Sequence, residues 1–354
     1  GNYWGHNAII RTRAFASCAG LPHVERAGPF TGHILSHDFV EAALLRRGGW
    51  AVRMAAHLDG SYEEAPPSVI DMGVRDRRWC QGNLQHLAVI GAGGLHWVSR
   101  LHLVRGVLSY ATSPLWLGFL VLGGLVWSQQ RAAGGPTDAG ALGLFVLTLG
   151  LLVAPKLGAL LLALAEPGAR RAFGGSTRLM AGALAELVLS SLLAGVMMLM
   201  QSRAVCDVLM GRDSGWNAQV RDGPQISFAD AWRRHRRHTA AGLAWVILAG
   251  LLDPMLLVWT SPLAAGLILA APLSVWTSQN HLVRLGVFRT PEDVRPPWVI
   301  QRAAELRRAR QGLGQTRQDI EKLMAGPVAA HQAGPAVQAA AIGAPSPRPT
   351  ALAS

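Results

Sequence analysis

The nine residues from Arg75 to Asn83 carry the side chains best suited to hold a phosphorylated sugar. The adjacent guanidinium groups of Arg77 and Arg78 can donate paired N–H bonds to a diphosphate. The indole of Trp79 offers a flat apolar face on which a sugar ring can stack. A basic surface patch with a tryptophan that anchors the domain at a membrane is an equally good interpretation. The first interpretation predicts an enzyme that uses a nucleotide sugar.

Asp38 is the acid best placed to act as a general base. It stands two residues after Ser36, a candidate N-cap, at the predicted start of a helix that runs to Leu45. An inverting glycosyl transfer needs a carboxylate that takes the proton from the attacking hydroxyl group. An aspartate that only solvates the helix start is the more common case, so both interpretations stay open on the residues alone.

The loop Trp4–Asn7 has groups that could contact sugar hydroxyls. Gly5 allows the backbone to approach a ligand closely, and the amide of Asn7 can both donate and accept hydrogen bonds. An ordinary turn that leads into a strand explains the same residues. The pair Glu63-Glu64, which precedes a proline-rich turn, is interpreted as solvated and not catalytic.

The composition is that of a membrane protein. Half of the 354 residues are apolar and only 15% are charged, and the mean hydropathy is +0.25. Much of the net charge of +12 comes from arginine-rich loops, which in membrane proteins mark the cytoplasmic side. Neither a zinc-binding spacing nor an RNA-binding signature accompanies them, so we expect no nucleic-acid partner. The three cysteines are far apart in the sequence, which predicts reduced, unpaired thiols.

Residues 1–83 are predicted to be the end of an α/β domain. Ala8–Ile10 and Ala51–Met54 have the pattern of short strands on either side of the helix that begins after Ser36. About eighty residues are too few for a complete domain of this class. We therefore expect the C-terminal piece of a longer protein.

The remainder of the chain is predicted to form four parts. Residues 84–104 are amphipathic and are interpreted as an interfacial helix region or, equally, as a helix packed on the preceding domain. Residues 105–283 form a transmembrane domain, residues 284–325 a basic cytoplasmic segment, and residues 326–354 a disordered tail. About five segments approach the ~20 apolar residues that cross a bilayer. They are Val107–Trp127, Ala141–Leu164, Leu179–Met200, Leu243–Thr260 and Leu263–Thr277.

The arrangement of these segments is only partly predicted. The last two are separated by Ser261-Pro262 and should form a tight hairpin. Leu179–Met200 lies between two arginine-rich loops that the positive-inside rule places on one side of the membrane. Either this segment is re-entrant or one loop departs from the rule. Glu186 and Asp253, within apolar segments, are candidates for lining a polar path.

Several motifs together resemble one enzyme family. Arg75–Asn83 is similar to the Gln-x-x-Arg-Trp motif of processive family 2 glycosyltransferases, the group that contains cellulose and hyaluronan synthases. Asn2–Arg11, Gly32–Ala42 and Gly60–Glu64 resemble the bacterial members that make osmoregulated periplasmic glucans. Within them, Ser36-His37-Asp38 occupies the place of the family's Thr-Glu-Asp motif. Arg75 stands where the wider family has glutamine, so the acceptor contacts of that glutamine are not assigned to it.

The resemblance implies a GT-A-type α/β domain followed by an α-helical polytopic membrane domain. It implies an inverting hexosyltransferase of the bacterial inner membrane, multi-pass and with a cytoplasmic catalytic part, that moves glucose from UDP-glucose to a growing β-linked glucan. Its other partners would be the lipid bilayer and a periplasmic glucan-processing protein. It also implies that Asp38 is the catalytic base. The substrate-binding residues it implies are Arg77, Arg78, Trp79, Asn7 and Gly5.

A divalent cation, Mg or Mn, is implied as the family's cofactor. The family's metal-binding Asp-x-Asp motif is absent from the chain, since no two aspartates stand two residues apart. We therefore assign no metal ligand. Two other functions remain open: a non-enzymatic transporter or channel subunit that docks a partner, and a piece that is inactive for lack of the donor-binding half.

Overall fold

A computed structural model describes most of the chain, and its regular structure is helical. The residues it describes are 2–3, 5–21, 23–24, 28–55, 57–58, 60, 62–63, 65–133, 139–212, 226–279 and 285–312. The predicted disordered tail, residues 326–354, lies outside them.

The described residues contain no β-strand, so the predicted strands at Ala8–Ile10 and Ala51–Met54 are wrong for this structure. Both segments are irregular. Their alternating pattern is not sufficient because a strand is stable only when it pairs with neighbours. Among the described residues, the one such pairing is an isolated bridge between Val24 and Gly32. The predicted α/β character is therefore not confirmed.

The globular part is built from three helices. They are α1 (Thr12–Cys18), α2 (His37–Arg47) and α3 (Val69–Val89). The predicted helix after Ser36 is present as α2. Ser68 caps α3, since its hydroxyl oxygen accepts the backbone N–H of Asp71 at 3.0 Å.

Helix α4 (Trp97–Ala132) begins in the globular core and continues as an apolar rod. Leu95, just before it, and Leu103 in its second turn are buried against Val40 and Leu44 of α2. This burial agrees with a helix packed on the preceding domain, the second interpretation of residues 84–104. The predicted domain boundary at residue 83 falls inside α3.

Within the described residues, three helices are long and apolar enough to cross a membrane. They are α4, α5 (Ala139–Ala165) and α7 (Ser176–Leu209), which contain three of the five predicted segments. The short α6 (Pro167–Ala172) joins the last two. Helix α7 is continuous through Leu179–Met200 and about 50 Å long at 1.5 Å per residue, which favours a spanning segment over the re-entrant alternative.

The other two predicted segments do not form single spanning helices. The chain runs through α8 (Phe228–Leu252) and then breaks into the short helices α9, α10 and α11. The bounds of these helices are Pro254–Trp259, Ser261–Ile268 and Ala270–Thr277. Thr239 of α8 donates to the carbonyl of Ile268, and Trp245 donates to Thr260. The predicted hairpin is thus present, with its turn between Asp253 and Thr260 and not at Ser261-Pro262.

Both acids proposed for a polar path have local partners. The carboxylate of Asp253 accepts the N–H of Met255 at 2.9 Å, which caps α9, and the indole N–H of Trp127 at 2.7 Å. Glu186 of α7 forms an ion pair with Lys156 of α5 at 2.8 Å. These contacts explain both acids as links between helices.

A partly buried polar network fixes α3 against the membrane helices. Asp76 accepts hydrogen bonds from Tyr110 of α4 at 2.8 Å and from Gln201 of α7 at 2.9 Å. Gln201 in turn accepts the hydroxyl of Ser113 at 2.5 Å. Hydrogen bonds to an ionised partner are stronger than neutral ones, so Asp76 holds the helix that carries Trp79 in a defined orientation.

The described residues 291–312 belong to a second compact unit. Its described part contains α12 (Pro291–Val294) and α13 (Trp298–Gly312). Helix α13 has no buried residue among its described side chains and carries Arg302, Arg307, Arg308 and Arg310. This agrees with the basic character predicted for residues 284–325.

Candidate active site

The start of α2 rests directly on α3. A Cβ atom added to Gly82 would lie 2.4 Å from Ser36 Oγ and 2.5 Å from the Ser36 backbone nitrogen. No side chain fits in that space. One residue later, Asn83 donates to Ser36 Oγ at 3.4 Å, and the buried His86 donates from Nε2 to the Ser36 carbonyl at 3.2 Å. Gly82, Asn83 and His86 therefore fix the position of the helix start that carries Asp38.

Gln85 holds the loop that leads into α2. Its side chain is 1% exposed. Its carbonyl oxygen accepts the N–H of Leu35 at 2.9 Å, and its amide donates to the carbonyls of Thr31 and His33 at 3.1 and 3.0 Å. One buried amide thus satisfies three backbone groups that would otherwise be costly to bury.

Replacing Gln85 with leucine is expected to lower stability by about 1–3 kcal/mol, since a side chain of similar size leaves these backbone groups unpaired. Gln85→Glu is expected to be damaging as well, because a carboxylate accepts from Leu35 but cannot donate to two carbonyls. Thermal unfolding of the purified protein in detergent measures the stability of both variants. A melting temperature unchanged in both variants would show that these bonds contribute nothing.

Asp38 lies in the first turn of α2, next to the predicted sugar-binding loop. Its side chain is 20% exposed. A Cβ atom on Gly5 would lie 3.0 Å from Asp38 Oδ2, and Gly5 has a φ of +88°. The structure therefore brings together two residues that are 33 positions apart in the sequence. A carboxylate that is partly exposed and close to a glycine turn can reach a hydroxyl group bound over that turn.

Replacing Gly5 with alanine tests this contact. The methyl group would press on the Asp38 carboxylate and also strain a backbone with positive φ. Gly49→Ala is the matched control, since its φ of +84° is similar but its Cβ would meet nothing within 4 Å. We expect Gly5→Ala to reduce the proposed glucosyl transfer activity by about a hundredfold, the effect of a misplaced catalytic group. Gly49→Ala should cost stability only.

Other polar groups surround Asp38. Burial, followed by the negative charges of Glu41 and Asp38, raises the pKa of Tyr3. Glu41 is itself buried and contacts His37 Nδ1 at 2.9 Å. Across the loop, His6 pairs with Glu63 at 3.0 Å. Burial also lowers the pKa of His86, so its ring is neutral at pH 7.

Asn7 and Trp79 present exposed surfaces suited to a sugar. Asn7 is exposed and has a left-handed backbone, with φ of 52°. Trp79 is 42% exposed, and Asn83 donates to its carbonyl at 2.8 Å. The Arg75 guanidinium lies 4.4 Å from the centre of the indole ring. At the position where the wider family has glutamine, this chain thus has a cation that stacks on the tryptophan.

The structure does not bring Arg77 to the same side as Asp38. Two residues apart, Arg77 and Trp79 point in directions roughly 200° apart around the helix. Arg77 lies 3.6 Å from Asp207 of α7, and both Arg77 and Arg78 line a cavity between α3, α7 and α8. The predicted cluster is therefore divided between two sides of α3.

The described residues contain no group of three His, Cys, Asp or Glu side chains that could hold a metal ion. They do not fit the cation that the resemblance implies. All three cysteines are free thiols, as predicted, and burial raises the pKa of Cys80 to about 12. A thiol protonated at pH 7 in the core of α3 has no nucleophilic role.

Sequence reasoning missed Gln85, His86 and Glu41. A signal for one of them, His86, was present, because Trp79, Asn83 and His86 recur at the i, i+4, i+7 spacing of one helix face. For Glu41 no signal was available, since an acid in the second turn of a helix is ordinarily exposed.

These features define a class of protein. Residues 2–164 match the model of a family described as Glycosyl transferase family group 2. The match covers the Gly5 loop, α2 with Asp38, α3 with Trp79, and the apolar helices α4 and α5. The resemblance to family 2 glycosyltransferases predicted from the motifs is confirmed.

The chain is also similar in sequence to individual proteins over most of its length. The chain is 48% identical over 326 residues to "Glucans biosynthesis glucosyltransferase H" of Xanthomonas campestris pv. campestris (strain B100), covering 87% of this chain and 50% of that protein. Proteins of the same name from Bradyrhizobium diazoefficiens and Vibrio cholerae are 47% and 46% identical, with 43% and 45% of their lengths covered. The chain thus spans about half the length of these relatives. No solved structure matches it.

Proposed function

We propose that the gene product containing this chain is an inverting glucosyltransferase that extends a β-linked glucan in osmoregulated periplasmic glucan biosynthesis. The donor would be UDP-glucose and the acceptor the growing glucan. The observation that carries the proposal is the meeting of three separate motifs. Gly5 contacts Asp38, and the start of α2 contacts the α3 face that continues to Trp79 through Asn83.

Each side chain then has a defined task. Asp38 takes the proton from the acceptor hydroxyl as that oxygen attacks the anomeric carbon and the nucleoside diphosphate departs. Trp79 stacks on the acceptor sugar, while the Gly5–Asn7 loop contacts its hydroxyl groups. No arginine of the cluster is assigned to the departing diphosphate, because Arg77 and Arg78 both line the cavity between α3, α7 and α8 and Arg77 is turned toward Asp207.

The donor site is only partly supplied by this chain. We propose the GT-A-type fold, and a Mg or Mn ion with it, for the gene product as a whole. Because the described residues offer no ligand set for such an ion, no step of the proposed reaction is derived through it.

The three apolar helices support a multi-pass protein in a membrane. We propose the bacterial inner membrane, with α2 and α3 on the cytoplasmic side, where UDP-glucose is available. In that setting the glucan would leave toward the periplasm and meet a glucan-processing protein there. Asp76 of α3 contacts Gln201 near the C-terminal end of α7 and Tyr110 near the start of the apolar segment of α4, which supports transfer at a membrane surface.

The test is glucose incorporation by the complete gene product reconstituted in liposomes, with radiolabelled UDP-glucose supplied outside. The expected result is a glucan made from UDP-glucose and not from GDP-glucose. The lumen and the outer medium are assayed separately, so that synthesis and translocation are measured apart. Membrane-inserted protein that makes no glucan from any nucleotide glucose would contradict the enzyme and favour a transporter or channel subunit.

A further inference from the structure

A cavity of about 760 Å³ lies between α3, α7 and α8, on a different side of α3 from Trp79 and Asn83. Seven arginines line it, against one acid, Asp207. They come from all three helices, for example Arg77, Arg203 and Arg234. Such a concentration of one charge around a cleft attracts anions and is unfavourable when nothing compensates it.

Asp207 compensates only part of this charge. It lies 3.0 Å from Arg212, 3.6 Å from Arg77 and 3.9 Å from Arg203. Arg234 and Arg237 on α8 have no carboxylate partner among the described residues. A single carboxylate shared by three guanidinium groups leaves the α8 side of the cavity strongly positive.

His235 gives an independent indication that the cavity is a ligand site. It is 1% exposed, it lines the cavity, and neither of its ring nitrogens has a hydrogen-bond partner. The buried Nε atoms of Arg75 and Arg77 are unpartnered too. Buried donors without acceptors are costly, and phosphate oxygens accept hydrogen bonds from several donors at once.

Apolar side chains also line the cavity, and this part of the lining is called the apolar wall. It comprises Ile70 and Val74 of α3, Leu199 and Met200 of α7, and Met210 just after α7. The residues that α7 contributes lie at the end of its apolar stretch, where a membrane helix reaches the headgroup region. A cavity with a cationic wall and an apolar wall at this depth matches a molecule that joins a phosphate to alkyl chains.

We propose that this cavity binds the phosphate group of an anionic phospholipid, with the acyl chains along the apolar wall. The lipid would occupy the side of α3 opposite to the proposed active site and complete the packing of α3 against α7 and α8. The proposal does not depend on glucosyl transfer, since it rests on the charge and burial of the cavity alone.

Native mass spectrometry of the complete gene product, titrated with phosphatidylglycerol or phosphatidylcholine, tests the proposal. We expect preferential binding of phosphatidylglycerol. The double variant Arg234→Gln/Arg237→Gln should weaken that binding by about 30-fold, the loss expected for two basic groups at an anionic headgroup. The matched control, Arg233→Gln/Arg236→Gln, removes the same charge from the same helix but outside the cavity lining. It should bind phosphatidylglycerol nearly as tightly as the unsubstituted protein.

Further measurements distinguish a phospholipid from other ligands of the cavity. His235→Leu removes both unpartnered nitrogens and should also weaken phosphatidylglycerol binding, while size-exclusion elution reports whether the variants remain folded. Inorganic phosphate and UDP should not displace the lipid. Displacement by inorganic phosphate would mean a free-phosphate site, and displacement by UDP a nucleotide site. Either outcome, or equal weakening in both double variants, would overturn the proposal.

Discussion

Replacing Asp38 with asparagine is expected to reduce glucose incorporation by about 10²–10⁴-fold, the contribution of a positioned general base, while the protein stays folded and membrane-inserted. Asparagine keeps the shape that contacts Gly5 but cannot accept the proton of the acceptor hydroxyl. The measurement is glucan synthesis from UDP-glucose by the complete gene product in membrane vesicles. Protein amount and membrane insertion are quantified in the same vesicles.

A control variant tests the alternative interpretation, in which Asp38 only stabilises the start of its helix. Asp71 also lies in the first turn of a helix, three residues after the serine that caps α3. By contrast, Ser36 makes no side-chain capping bond at the start of α2. Asp71→Asn should cost about 1 kcal/mol of stability and little activity. Equal effects of the two substitutions on glucan synthesis would discard Asp38 as the base.

Replacing Gly82 with alanine is expected to have the second largest effect. The added methyl group would overlap Ser36, so α2 and α3 must separate or tilt. Overpacking of this kind costs about 1–3 kcal/mol, and a displacement of roughly 1 Å at a catalytic group costs about a hundredfold in rate. Both the melting temperature and the rate of glucan synthesis should therefore fall, although Gly82 touches no substrate.

Gly91→Ala is the control for this substitution, because a Cβ atom there would meet nothing within 4 Å. Gly91→Ala should leave the melting temperature and the rate of glucan synthesis nearly unchanged. If Gly82→Ala retained full activity, the position of Asp38 relative to α3 would not matter for function. The proposal that Asp38 and Trp79 form one shared active site would then lose its structural support.

The features that could be predicted from the sequence depend on neighbouring residues. The apolar runs of α4, α5 and α7 and the start of α2 after Ser36 are local patterns, and the structure contains all of them. The contact between Gly5 and Asp38 could be anticipated only through the family resemblance, since no spacing rule joins positions 33 residues apart.

The features that could not be predicted depend on distant partners. Gln85 binds a loop about fifty residues earlier, and Trp127 binds Asp253, which lies between α8 and α9 and 126 residues later in the sequence. The strand patterns at Ala8–Ile10 and Ala51–Met54 were misleading for the same reason, because pairing is decided elsewhere. The division of Arg77 from Trp79 was available from helical periodicity, but adjacency in sequence suggested one cluster.

The most direct test of the shared site is photo-crosslinking on α3. A photoreactive phenylalanine is placed at Trp79 or at Val74, which are similarly exposed, at 42% and 43%, but lie on different sides of the helix. The complete gene product then synthesises radiolabelled glucan and is irradiated. We expect labelled glucan attached at position 79 and not at position 74. Label at position 74 alone would place the glucan in the arginine-lined cavity and contradict an active site formed by Asp38 and Trp79.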